Sequence, residues 1–298
     1  MNAVTILRIV LSLWTLVFAV YFVTDCIKHK EDFNTKSLVP LALIGAVTNF
    51  LDTLGIGSFA TTQAGFKFTK SSPDETMPGT LNVGDTIPVV TEALLFFGLI
   101  EIGTTTLIGL IAASVVGAVV GAKIVSGWSV KYVRIALGVA LICLAFVMIA
   151  RMFAWGPFQS AGTLTSLPTG KLIIGIVVNF FLGAFMTVGL GLYAPCMALI
   201  GALGMNISAA FPIMMGSCAF LMPSAGITFI KEGKYDRKAS VMLTIFGVIG
   251  VFIAYFIVKS LPLTILTWVV IAVMIFTSLT FFKDAAKSSS PNLSAEPE

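Results

Sequence analysis

Charge is what this chain has least of. From Leu172 to Ile230 there is no Asp, Glu, Lys, Arg or His, and over the whole chain charged residues are 11% against 57% hydrophobic. Soluble domains carry about 25% charged residues. A soluble globular domain is therefore excluded, and the mean hydropathy of +1.02 marks an integral membrane protein. Histidine is nearly absent, His29 being the only one, and it falls in a charged loop. That argues against an imidazole-based metal centre and leaves an intramembrane hydrolase without a base beside a buried nucleophile. The four cysteines (Cys26, Cys143, Cys196, Cys218) form no CxxC pair, so neither a disulfide framework nor a structural zinc site is expected.

No basic run is interleaved with aromatics, and the net charge of +4 is scattered, so nucleic acid is not an expected partner. No nucleotide-binding loop is present. The run Gly189–Ala194 mimics a dinucleotide fingerprint but lacks its βαβ context and its downstream acid. Neither a cofactor nor an enzymatic activity is expected.

What remains is a series of apolar segments of about 20 residues, the length of a spanning helix rather than of a barrel strand. Val4–Thr24 is the first, with Arg8 placed to snorkel to the interface. No small-residue cleavage site follows it, which favours an uncleaved span over a signal peptide. A charged loop, Lys28–Lys36, leads to Leu38–Phe66, Thr80–Ile100, Gly103–Val125 and Lys131–Phe153. The uncharged stretch comes next, then Ala239–Lys259 and Pro262–Phe282. Residues 283–298 are rich in Ser, Pro and Glu, a composition that favours a disordered cytoplasmic tail.

As one helix, Leu172–Ile230 would run roughly 90 Å, about three bilayer cores, so it must fold back. Gly189-Leu190-Gly191 and Pro195 interrupt it, and Gly201, Gly204, Asn206 and Pro212 interrupt it again. The pattern predicts a half-helix (Leu172–Val188), a break, a short half-helix opening at Pro195, a turn, and a full span (Ile207–Ile230). Broken helices at membrane depth occur where they are buried in protein or line a cavity, and in carriers they form the substrate site.

The chain repeats. Gly45-x-x-x-Asn49-Phe50 returns as Gly175-x-x-x-Asn179-Phe180, Gly55-Ile56-Gly57 as Gly189-Leu190-Gly191, and the pair Gly103 and Gly117 as Gly233 and Gly247. The expected organisation is residues 1–37, an N-terminal span and cytoplasmic loop; 38–153, repeat 1; 154–170, a linker; 171–282, repeat 2; and 283–298, the tail. Charge placement decides whether the broken segments cross. With the amino terminus outside and both broken segments re-entrant, only Arg8, Arg151, Lys171 and Lys259 of the 18 basic residues lie outside. With both crossing, Lys67, Lys70, Lys123, Lys131 and Arg134 move out while Arg151 and Lys171 move in. The positive-inside bias favours re-entrant segments, which leaves an odd number of crossings per half. The fold class expected is an all-α polytopic membrane protein of two inverted repeats, each a broken re-entrant segment plus three transmembrane helices, with an extra N-terminal helix.

A Gly-x-Gly break after a Gly/Asn-bearing helix, Gly79-Thr80 opening the next span, and span–Gly–span joints at Gly103 and Gly233 occur in duplicated order. In these features the chain resembles the sulfite exporter TauE/SafE family of membrane permeases, over about Leu38–Phe282. It departs in half one, where Gly55-Ile56-Gly57-Ser58 has no nearby proline to match Gly189–Pro195. The resemblance implies export or import of small sulfur-containing or organic anions.

Half-helix amino termini present free N–H groups and a partial positive charge, and glycine lets backbone approach a ligand. The residues predicted to bind substrate are Asn49, Gly55, Gly57, Ser58, Asn179, Gly189, Gly191, Tyr193, Pro195 and Cys196. Glycines of this kind also serve close helix packing; matching breaks in both halves favour a site. Acids within a membrane are expensive and usually functional, so Asp52, Asp85 and Glu92 are candidates for proton or cation coupling, with a neutral, hydrogen-bonded carboxyl as the plainer alternative. The leading expectation is a secondary carrier for a small anion in the cell membrane, in contact with the lipid bilayer, and the alternative is a carrier centred on the three acids. Oligomeric state and direction are left open.

Overall fold

The computed structural model describes residues 3–33, 38–73, 75–121, 129–153, 155, 162–186 and 191–287. Among these the chain is helical, with one isolated bridge, Leu164 to Met205, and no strand. In order the helices are α1 (Ala3–Lys28), α2 (Val39–Thr53), α3 (Ser58–Thr69), α4 (Met77–Gly84), α5 (Thr86–Phe96) and α6 (Thr104–Val116, running on into a π-helical turn, Gly117–Gly121). They continue as α7 (Val130–Met152), α8 (Thr169–Met186), α9 (Tyr193–Ala202), α10 (Ala210–Glu232, after a 3₁₀ turn at Ile207–Ala209), α11 (Arg237–Ser260) and α12 (Leu263–Lys287). Six are long and apolar enough to cross a bilayer, and the protein is a multi-pass membrane protein.

The faces agree with that environment. On α11, Ile245, Ile249, Phe252 and Phe256 form an exposed apolar stripe, while Leu243, Gly247, Gly250 and Ala254 face inward. The helix α9 is buried from Tyr193 to Gly201, packed with α10 through Met197, Ile200, Phe211 and Met214 in the main apolar cluster. Within the uncharged stretch α9 and much of α10 are therefore interior to the protein, while α8 keeps an exposed face at Ile173, Ile174 and Val177.

Small residues set the closest helix pairs. The helix α2 lies on α11, where a Cβ at Gly250 would stand 2.1 Å from the Ala46 carbonyl oxygen. Likewise α8 lies on α6: a Cβ at Gly183 would come 2.0 Å from the Ser114 oxygen, and one at Gly117 1.9 Å from that of Phe180. The repeated glycines thus hold matching places, Gly247 against Asn49 and Gly117 against the residue after Asn179. Two further pairs, α5 with α10 and α7 with α12, join the halves.

Both broken segments are hairpins. Phe66 of α3 shares a cluster with Leu41 and Ile44 of α2, and Thr62 donates to the Thr48 hydroxyl at 2.9 Å. In the second, Lys171 at the start of α8 donates to the Leu203 carbonyl just past α9, at 2.8 Å, so the segment ends where it began.

At one end of the bundle, Arg237 bridges Asp25 and Asp32, each at 2.7 Å. Burial, and then the hydrogen bond it donates to Asp25, push the Tyr235 phenol above its ordinary range. The first turn of α4 joins this end, with Asp236 N donating to Thr80 Oγ1 at 2.9 Å. At the other end, Gly103 N donates to the Thr165 carbonyl and Arg8 to that of Phe97.

Some boundaries differ from those predicted. The segment expected as one span over Thr80–Ile100 is interrupted at Asp85. Pro88 has no N–H for the Gly84 carbonyl, and Thr244 of α11 fills that place with its hydroxyl at 2.9 Å. Helix α9 starts at Tyr193, which puts Pro195 third in the helix and not first. A proline is accommodated there because the opening N–H groups have no intrahelical partner anyway. Helix α8 takes in Thr169 and Gly170 from the expected linker, and α12 continues through Lys287, past 282. The remainder of the expected tail, 288–298, lies outside the described residues.

Candidate functional site

The two helix breaks meet. Gly57 and Ser58 from the first and Gly191 to Ala194 from the second line one cavity of about 140 Å³. In the first break, Gly55 N bonds to the Asp52 carbonyl and Ile56 N to that of Leu51. The chain then passes through two glycines in the left-handed region, Gly55 and Gly57, both at φ 94°. A Cβ at Gly55 would come 2.6 Å from the Met197 methyl, so the first break packs directly on α9. At Gly57 and Gly191 the same position meets no atom within 4 Å.

The acids gather behind and beside this cavity. Asp52 lines it and is 3% exposed; Asp85 and Glu92 are fully buried. Asp52 Oδ1 accepts from Ser58 N at 2.6 Å, so a carboxyl of the protein itself occupies the amino terminus of α3. The Ser58 side chain interacts with both Asp52 and Asp85. Asn49 Nδ2 donates to Asp85 Oδ1 at 3.1 Å. Glu92 accepts from Thr53 at 2.7 Å on one oxygen and from the Tyr193 hydroxyl at 3.1 Å on the other. This last bond crosses between the halves. Among the described residues none of the three acids forms a salt bridge, and no group of three or more His, Cys, Asp or Glu is placed to hold a metal ion. A connected set of buried carboxyls and hydroxyls is suited to holding and passing a proton.

From the breaks the cavity extends along α12. Thr277, Thr280, Phe281 and Asp284 line it, at i, i+3, i+4 and i+7, one stripe of the helix reaching nearly to its end. Arg134 of α7 and Cys218 of α10 also line it. In the sequence Arg134 counts only as one of the charges that set topology. Its one signal, a cation just inside an apolar span, is shared by Arg8 and Lys171.

Of the residues predicted for substrate, Gly57, Ser58, Gly191 and Tyr193 line the cavity, and Asn49 and Gly55 stand directly behind its wall. Asn179 is elsewhere: its amide donates to the Leu110 carbonyl at 2.6 Å between α8 and α6. Pro195 and Cys196 turn into the apolar core in the first turn of α9 and are not on the cavity wall. Cys218 is the thiol that is, 3.6 Å from the Met186 sulfur. Gly189 lies outside the described residues. No family model, curated protein or solved structure matches the chain.

Proposed function

We propose that this protein is a secondary carrier for a small anion, working by alternating access between two inverted repeats, with the substrate held where the two helix breaks meet. One observation carries the reading: a break from each half opens onto the same cavity. The inverted relation is supported by the matching pairs α2–α11 and α8–α6 and by hairpins that return to the end they entered. The substrate class, a small sulfur-containing or organic anion, and the cell membrane as location rest on the resemblance to the TauE/SafE permeases.

The chemistry differs between the halves. In half two the opening N–H groups of α9, at Tyr193 and Ala194, have no intrahelical partner and border the cavity, an arrangement that favours a negative group. In half one Asp52 already fills the equivalent position. An anion beside an ionised Asp52 is repelled strongly in a low-dielectric setting, so the anion enters with a proton on Asp52. Proton and anion then travel together, and Asp85 and Glu92 stabilise the proton-bearing state through Ser58 and Tyr193.

The test is flux into proteoliposomes with sulfite, methanesulfonate and acetate as a panel. Uptake of at least one should follow an imposed pH gradient. Asp52→Asn should abolish pH-driven accumulation and spare anion exchange. A second reading, a cation carrier, is favoured by three buried carboxyls without a salt bridge. It predicts cation flux without anion flux, all of it lost in Asp52→Asn, and that result would replace the anion reading.

A further inference from the structure

Three buried polar atoms without a hydrogen-bond partner belong to residues on this one cavity: Asp52 Oδ2, Arg134 Nε and Thr277 Oγ1. Buried polar atoms are nearly always paired, so orphans collected around a single cavity mark where the polar atoms of a ligand belong. Two of the three are donors. The guanidinium presents N–H groups in a fixed plane, and the threonine hydroxyl adds another donor.

Their relative position follows from helix register. Ser278 of α12 donates to the Gly138 carbonyl of α7 at 2.7 Å, and a Cβ at Gly138 would come 2.8 Å from the Phe282 ring. Arg134, one turn before Gly138, therefore stands beside the last turns of α12. Thr277 lies deeper, toward the breaks.

We propose that Arg134 and Thr277 form an anion subsite of the cavity, on the route between the helix breaks and the end where α12 stops, and that it takes a singly charged oxyanion. The inference deepens the carrier reading and rests on it. The charge limit follows from the wall. Arg134 is the one basic residue lining the cavity among the described residues, Asp284 brings negative charge to the same wall even when Asp52 carries its proton, and most other lining groups are apolar, among them Ile56, Phe59, Val89 and Met222. A second negative charge on the ligand would be buried unpaired, which is costly. Lysine would be a poorer choice, because a planar fork matches two oxygens of one oxyanion.

The experiment separates the subsite from transport. Thr280→Cys is made in a background with Cys26, Cys143, Cys196 and Cys218 changed to Ala. It is labelled with sulfonatoethyl and with trimethylammonioethyl methanethiosulfonate, each rate normalised to a free thiol. The anionic reagent should be favoured, and Arg134→Gln should lower that preference about tenfold, the scale of one charge-assisted contact. Arg134→Lys, which keeps the charge, should retain most of it, and that comparison guards against misfolding. In the flux assay Arg134→Gln should raise KM for the transported anion about tenfold and Thr277→Val about fivefold, with smaller changes in maximal rate. A reagent preference indifferent to Arg134, or no labelling at position 280, overturns the subsite. An Arg134-dependent preference in a protein that moves none of the panel anions upholds the subsite and removes the carrier reading.

Discussion

The bond from Tyr193 to Glu92 is the sharpest place to test whether the two halves act on each other. Tyr193→Phe keeps the ring, so packing on α9 is undisturbed, and deletes only the hydroxyl that donates to Glu92 Oε2 at 3.1 Å. Glu92 is fully buried, so water cannot replace the lost donor. Leaving a buried acceptor unpaired costs about 1–3 kcal/mol, or a fall in melting temperature of roughly 2–6 °C at ~2 °C per kcal/mol for a chain of this size. Thr53→Val is the comparator, because Thr53 donates to the other oxygen of the same carboxyl at 2.7 Å from within half one.

Both variants should lose similar stability in a detergent melt. Only Tyr193→Phe should change the anion exchange rate, because only that bond spans the halves. A cycle with Glu92→Gln should give a Tyr193–Glu92 coupling of about 0.5–3 kcal/mol. If the two losses simply add, or if Thr53→Val slows exchange as much as Tyr193→Phe, the cross-half bond is not part of the cycle.

At Gly191 a Cβ meets no atom within 4 Å; Gly191→Val should therefore leave expression and melting near wild type while reducing anion flux at least tenfold by filling the cavity. Gly201→Ala, whose Cβ finds only ordinary contacts from 3.5 Å, should retain flux, and equal loss in both would make Gly191 a packing residue. For topology, cysteines at Ser72 and Gly233 in the cysteine-free background should both resist an impermeant thiol reagent added outside whole cells. Labelling of either alone would contradict the contact between Gly79 and the Lys234 carbonyl, which brings the two loops to one end.

How much of this was legible in advance follows the physics of each signal. The absence of charge from Leu172 to Ile230 gave the membrane setting, and Gly189–Pro195 gave a break, because breakers inside an apolar run have few other uses. The repeat was visible for a packing reason: Gly45 and Gly117 sit close against the backbone of a neighbouring helix and Gly247 against the Asn49 and Pro88 side chains, where a larger residue would crowd its neighbours. That Asp52 shares a helix face with Asn49, three residues before it, and Asp85 one with Glu92, seven residues on, follows from helical spacing. Their union into one network does not, since it depends on how α2 and α3 fold against α5. Arg134 was invisible as a site residue for the same reason: only the register of α7 on α12, fixed at Ser278 and Gly138, brings it to the cavity. Asn179 and Cys196 lie away from the cavity, at a helix interface and in the core, because residue type and position in the repeat do not say which way a side chain points.

The cap that Asp52 places on α3 has a consequence for stoichiometry. A two-fold arrangement of helix breaks offers two equivalent places for a negative group, yet one is permanently taken by a tethered carboxyl. In the proposed cycle one vacancy remains, so one anion moves per turn, and the proton on Asp52 cancels its charge. Each uncompensated charge would feel about 2.3 kcal/mol per 100 mV of membrane potential; a neutral pair feels none. Such a carrier is electrically silent: it answers to the gradients of its anion and of protons, and clamping the voltage across a bilayer that holds it should leave its rate unchanged.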